Sequence, residues 1–325
     1  MQERIEILGT RYPLRRLRSR VWLISISVPW LWVSLFNWSN LAQLNMDSSI
    51  TESIRYQQER NEWMRTENSP LALAGLFWLK PGDATIGTDA TSQIVLPAGT
   101  APPRVGRLQV GPNGVRFVAE QGVQVLSQDV RVTVKDLQID GAGETPDVLS
   151  LGNLRIKIIK RGDRLGLRLI NLKNQSLLHF KELEFYPINA AYRVEGKFIE
   201  YRPPKKIQVA NILGQIEAME CPGVVEFSLQ GQLLRLEPVL ESPTADKLFI
   251  MFKDGTNGKG TYEGGRYLYA PLPSDRTVVL DFNQAHNPFC AYTSYSTCQI
   301  PPLQNWLRMS IPSGEKQFKK SGKGK

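Results

Sequence analysis

The sequence predicts an all-β protein of two consecutive antiparallel units behind a helical lead, and three observations carry that expectation. From Leu71 onward, short runs of alternating apolar and polar residues recur, each broken by Gly, Pro, Asn or Asp. Turn signals such as Pro112-Asn113-Gly114, Arg161-Gly162-Asp163 and Gln230-Gly231 stand between those runs. No helical period of useful length interrupts them. The composition, 42% hydrophobic and 22% charged over 325 residues, is that of a globular body rather than a disordered chain.

Residues 1–20 hold six Arg against two Glu and read as a basic cytoplasmic n-region. The stretch Val21–Phe36 that follows has no charge, and with the residues to Leu44 it approaches the roughly 20 residues needed to span a bilayer. Trp30, Trp32 and Trp38 suit an interfacial anchor, and no good small-x-small cleavage site precedes Asp47. Residues 21–44 are therefore expected to be a signal anchor, with a cleaved signal peptide as the alternative. The arginine flank puts the main body outside the cytoplasm, either membrane-anchored or secreted.

Residues 45–70 read as an amphipathic helix, capped by Ser48 or Ser49, with Ile50, Ile54 and Trp63 as its apolar positions. Residues 71–186 form the first β-domain, a sandwich. Residues 187–316 form a second antiparallel domain, sandwich-like or barrel-like, with Gln230-Gly231 and Asp254-Gly255 as tight hairpins. The strands Arg193–Tyr201 and Lys206–Val209 are separated by an extended, exposed Pro203-Pro204. Residues 317–325 are a basic, low-complexity tail.

The net charge of +9 is not a nucleic-acid signal. The first twenty residues contribute +4 and the last ten +5, so the body between them is neutral, whereas a nucleic-acid groove needs a basic stripe across folded surface. The expected partners are the membrane, through the amino-terminal segment, and a small ligand of unknown identity. Oligomeric state is left open.

Three polar constellations are candidates for function. Asp254 to Arg266 is glycine-rich, with Thr256 and Tyr262, and presents backbone N–H groups to an anion or bonds to itself. It lacks the Gly-Lys-Ser/Thr order of a P-loop, and no cofactor is expected. Arg164, Gly166 and Arg168 alternate onto one strand face, where two guanidinium groups could meet a carboxylate or pair within the sheet. The segment Leu280 to Lys316 gathers Asp281, Asn283, His286, Asn287, Cys290, Cys298, Asn305 and Glu315 among prolines. Its alternatives are a hydrogen-bonded corner, a polar pocket with Asp281, Glu315 and Tyr262 as acid-base candidates, a zinc site from His286, Cys290, Cys298 and Asp281, or a Cys290 thiol with His286 as base. A Cys290–Cys298 disulfide is expected from their spacing and the inferred oxidising compartment. Arg266 is expected to be buried against Asp281.

The order DFN-x-A-x-NP-x-CA-x-T-x-Y-x-TC-x-x-PP-x-x-N in that segment resembles the signature of the domain-of-unknown-function 1684 family. The D-x-T-x-G-x-x-TY-x-x-GR stretch at Asp254 and the RGDR-x-G-x-R stretch at Arg161 resemble other parts of the same pattern. The resemblance implies a fold and a site but no reaction, because no activity is established for that family. Function stays between a small-ligand binding or accessory protein of the envelope and a hydrolase-like enzyme. The opening GDATIGTDATSQIVLP with PRVGRLQVGPNGVRFVAEQGVQV also resembles a forkhead-associated-type sandwich. That family's phosphothreonine residues are missing, since Thr88 follows Gly87 and Pro103-Arg104-Val105-Gly106 replaces its Ser-x-x-His loop, so the likeness implies scaffold alone.

Overall fold

Eleven strands between Leu73 and Asn171 make two sheets. They are β1 Leu73–Trp78, β2 Gly82–Gly87, β3 Ile94–Val95, β4 Gly106–Gly111, β5 Gly114–Ala119, β6 Leu126–Ser127, β7 Val130–Arg131, β8 Val134–Leu137, β9 Leu149–Leu151, β10 Leu154–Arg161 and β11 Arg164–Asn171. The orders are β1-β11-β10-β9-β6-β7 and β3-β2-β4-β5-β8. Side-chain alternation builds the core between them: Leu154, Ile156 and Ile158 point in from β10 while Arg155 and Lys157 do not. Gly87 is required by close approach, because a Cβ there would lie 1.9 Å from the Pro103 carbonyl oxygen. This computed structural model describes residues 48–140 and 145–319. The expectations for 1–20 and 21–44, and the end of the basic tail, fall outside the described residues. Among those described, no helix is long and apolar enough to cross a membrane.

Six strands follow: β12 Arg193–Ala210, β13 Ile216–Leu229, β14 Gln232–Leu236, β15 Lys247–Phe252, β16 Arg266–Pro271 and β17 Thr277–Asp281. Four form the sheet β14-β13-β12-β17, and β15 pairs with β16. The bridges Glu220↔Leu240 and Val239↔Phe249 tie that pair to β13, and Tyr267↔His286 lays the carboxy-terminal segment along β16. Phe227, Phe252, Leu268, Leu280 and Phe282 fill the interior. Two expectations are corrected. Pro203 and Pro204 do not end a strand: β12 runs through them on a register shift between Glu200 and Lys205, which spares the ladder two missing donors. Asp254-Gly255 is not a tight hairpin but the start of a long loop from β15 to β16.

Residues 48–63 are helical (α1), but the buried face differs from the expected one. Ile54 is exposed, while Ser53 and Met64 are buried and Tyr56 and Arg60 are half-buried. The spacing of Ser53, Tyr56, Arg60 and Met64 is one helix face. It is a polar face because what it meets is polar.

Candidate functional site

Arg266 has no exposed surface, and its partner is Asp254 rather than Asp281. Its two terminal nitrogens reach the Asp254 carboxylate and the carbonyls of Ser313 and Ile311, and its guanidinium lies 5.0 Å from the Phe252 ring centre. The other Asp254 oxygen accepts from Thr256 N at 2.8 Å, Thr256 Oγ1 at 2.6 Å and Ile311 N at 3.3 Å. The glycine-rich loop thus bonds to itself and to the terminal arm, and its N–H groups do not form an anion cradle. Asn305, fully buried, clamps Glu237 N and O and Met251 O in the same way.

Asp281 sits one link away. It accepts from Ser53 Oγ at 2.9 Å, Asn283 N at 3.0 Å and Asn283 Nδ2 at 2.8 Å. Asn283 Oδ1 in turn accepts from Ser313 Oγ at 2.8 Å, and the Ser313 carbonyl accepts from Arg266. The candidates therefore share one network, but Arg266 and Asp281 do not touch. Glu315 lies in a neighbouring cluster, 1% exposed, accepting from Asn287 Nδ2 at 2.8 Å and from the Tyr292 hydroxyl, with Arg60 Nε at 3.6 Å. Burial holds the Glu315 carboxyl above its usual range against the opposing pull of Arg60. Tyr56 Oη lies 2.8 Å from His286 Nδ1. Burial drives the His286 pKa well below the ordinary value, with Arg60 adding to it, so the ring is neutral. Ser53, Tyr56 and Arg60 of α1 thus plug into Asp281, His286 and Glu315. The polar signature is largely a socket for this helix.

A cavity of about 690 Å³ opens where β10 and β11 face the second group of strands. One wall carries Lys160, Arg161 and Arg168, and the other carries Phe249, Tyr267, Tyr269 and His286, with Cys298 and Thr297 on the floor. Arg161 is fixed by Asp140 at 3.3 Å and Thr297 Oγ1 at 3.3 Å, and Gln215 Nε2 donates to its carbonyl at 2.9 Å. Arg168 Nε is buried and meets no acceptor. Desolvation, and next the charge of Arg161, lower the Arg168 pKa, partly offset by Asp140 and Cys298. Tyr269 stacks on Phe249 at 5.1 Å and on His286 at 5.8 Å. Its hydroxyl donates to Glu241 at 3.1 Å, a carboxyl raised by burial.

Residues 178–316 match the family described as "Protein of unknown function (DUF1684)". No curated protein matches the chain. It is similar to an uncharacterized protein of Haloarcula marismortui solved by NMR, at 29% identity and a TM-score of 0.36, over 42% of this chain and 77% of that one. It is also similar to the FHA-2 domain of a Mycobacterium tuberculosis ABC transporter, at 26% identity and a TM-score of 0.21, over 28% of this chain and 77% of that one.

The DUF1684 match takes in the socket and one cavity wall, while α1, Lys160, Arg161 and Arg168 lie before it. Of the sequence candidates, Arg168, His286, Asn287 and Cys298 line the cavity. Arg164 does not join Arg168: its guanidinium lies 4.1 Å from the Trp78 ring centre, and that ring packs on Gly166 between the two arginines. Tyr262 lines no part of it, and burial lifts its hydroxyl to about 12. The expected Cys290–Cys298 disulfide is corrected, since both residues are free thiols. Cys290 N donates to Cys298 Sγ at 3.2 Å, and Ser296 Oγ donates to Cys290 Sγ at 3.0 Å, so the sulfurs are hydrogen-bonded rather than joined. Neither His286 nor Asp281 completes a metal set, and among the described residues no group of three or more His, Cys, Asp or Glu could hold a metal ion. The Cys290–His286 couple is also corrected, because His286 is engaged by Tyr56. The sequence reading missed Lys160, Tyr267 and Tyr269. The alternation of Tyr267 and Tyr269 on β16, set against Phe249 on β15, was the available signal for an aromatic wall.

Proposed function

We propose that the protein is a small-ligand binding or accessory protein of the cell envelope, and that its ligand enters the cavity between the two β-units. One observation carries this reading: Arg168 lines a cavity of drug-sized volume with its Nε buried and unpaired and with no ion-pair partner among the described residues, whereas the buried Arg266 has the Asp254 carboxylate. Binding is favoured over hydrolysis because Asp281 and Glu315, the carboxylates a hydrolase would use, are buried with their oxygens already accepting hydrogen bonds. Replacing half-buried Gln299, which lines the cavity, by Trp should abolish ligand binding without unfolding the protein. Ligand-observed NMR with a mixed set of small solutes tests it, and identical binding by wild type and Gln299→Trp would remove the cavity from consideration.

The uncharged stretch 21–44 is proposed to hold the body at the outer side of the membrane, with the first β-unit serving as a forkhead-associated-type scaffold. A reporter active only outside the cytoplasm, fused after Asp47, should give signal. Activity of a cytoplasm-only reporter at that position would refute the placement.

A further inference from the structure

We infer that the cavity takes a small organic anion, a carboxylate or phosphate ester, whose apolar body packs against the aromatic wall at Tyr269 and whose far end carries no second negative charge. The inference rests on the reading of the cavity as a ligand site and adds the chemical class.

The cationic wall is under-compensated. Arg168 has no ion-pair partner among the described residues, and Arg161 holds Asp140 at 3.3 Å. A guanidinium has five donors and no acceptor, so the buried Arg168 Nε is open to an acceptor entering the cavity. Two guanidinium groups close enough to repel one another, in surroundings drier than bulk water, favour an anion more than either would alone. Strand geometry keeps them there: Arg161 ends β10 and Arg168 lies within β11, joined by the two-residue turn at Gly162-Asp163.

The facing wall selects the rest of the ligand. Phe249 and Tyr269 are stacked at an interplanar angle of 24°, with His286 continuing the stack at 13°, and the stack gives the ligand's body an aromatic wall to pack against. Glu241, bonded to the Tyr269 hydroxyl, lines the cavity without an ion-pair partner among the described residues. It repels a second negative group. The site thus has a positive part at Arg168 and a negative part at Glu241, beside Tyr269.

Four probes with one ring test the class: phenylacetate, phenyl phosphate, phenylacetamide and 2-phenylethylammonium, with 1,4-phenylenediacetate as a diacid. Saturation-transfer NMR on the full chain should show phenylacetate or phenyl phosphate binding at least about tenfold more tightly than the amide and the ammonium. Binding of that anion should be lost in both Arg168→Gln and Gln299→Trp, and the diacid should bind more weakly than phenylacetate. Selectivity among probes on the wild-type protein needs no variant to fold. If the amide or the ammonium binds best and Gln299→Trp abolishes it, the anion class is overturned while the ligand site stands. If the diacid binds as well as phenylacetate, the far-end claim falls. If no probe is displaced from the cavity by Gln299→Trp, both the class and the site fall.

Discussion

Replacing Asp254 by Ala should be among the most damaging single changes in the second β-unit. Neither side chain of the Asp254–Arg266 pair has exposed surface. Breaking such a pair from one side costs about 3–5 kcal/mol, because a buried charge is left uncompensated. Arg266 would keep the carbonyls of Ser313 and Ile311 and the Phe252 face, which pulls the figure down. The amide and hydroxyl of Thr256 and the amide of Ile311 would lose their shared acceptor, which pulls it up. A loss of about 4 kcal/mol results. Urea denaturation of Asp254→Ala, Arg266→Met and the double variant measures it, and the double variant should recover roughly 3 kcal/mol of the summed losses. Asp281→Ala combined with Arg266→Met should be close to additive, since Asn283 and Ser313 stand between those residues. A loss below about 1 kcal/mol for Asp254→Ala, or strict additivity with Arg266→Met, would refute the buried-lock reasoning.

His286 has a folded-state pKa below its unfolded value, so its contribution to stability is present above about pH 6.5 and is lost as pH falls, by about 1.4 kcal/mol per unit. Glu315 and Glu241 are raised and act in the opposite sense, so the measurement is the difference between wild type and His286→Gln between pH 7.5 and 5. A flat difference would show that the ring is not neutral when folded. Cys290 should be the reactive thiol: the Cys298 S–H, and then the Ser296 hydroxyl, stabilise its thiolate and lower it to about 6, while burial lifts Cys221 to about 11. Iodoacetamide at pH 7 with peptide mapping should modify Cys290 first, and preferential labelling of Cys221 would reverse the assignment.

Strand runs and turns were legible because alternation and turn chemistry are local. Gln230-Gly231, with φ of 51° and 79°, turns where the sequence indicates. What was not legible was set by tertiary contact. Ile54 reads as a core position by hydropathy, yet the helix buries Ser53, because Asp281, distant in sequence, supplies a partner for its hydroxyl. Arg266 clearly needed a carboxylate, but two were in reach of its strand. Only the path of the terminal arm, which brings Ile311 and Ser313 beside Asp254, selects between them. The cavity was invisible because its walls come from Arg60, from Lys160–Arg168 and from residues from Val209 onward, whose juxtaposition depends on how two apolar cores meet.

The socket and the cavity share residues, and this gives the polar signature a role beyond closing a corner. His286 takes the Tyr56 hydroxyl on one side and stacks on Tyr269 in the cavity wall on the other. Arg60 lines the cavity while lying 3.6 Å from Glu315 and donating to the Asn287 carbonyl at 3.2 Å. The geometry of the aromatic wall therefore depends on α1 being seated. A polar socket suits that task better than an apolar one: each hydrogen bond fixes helix register and rotation, whereas apolar contacts tolerate sliding. The seating is over-determined by Ser53, Tyr56 and Arg60 acting on separate partners. Loosening any one of them should disturb the ligand wall before it unfolds the strands, because β15 and β16 have their own ladder and the interior behind them is apolar.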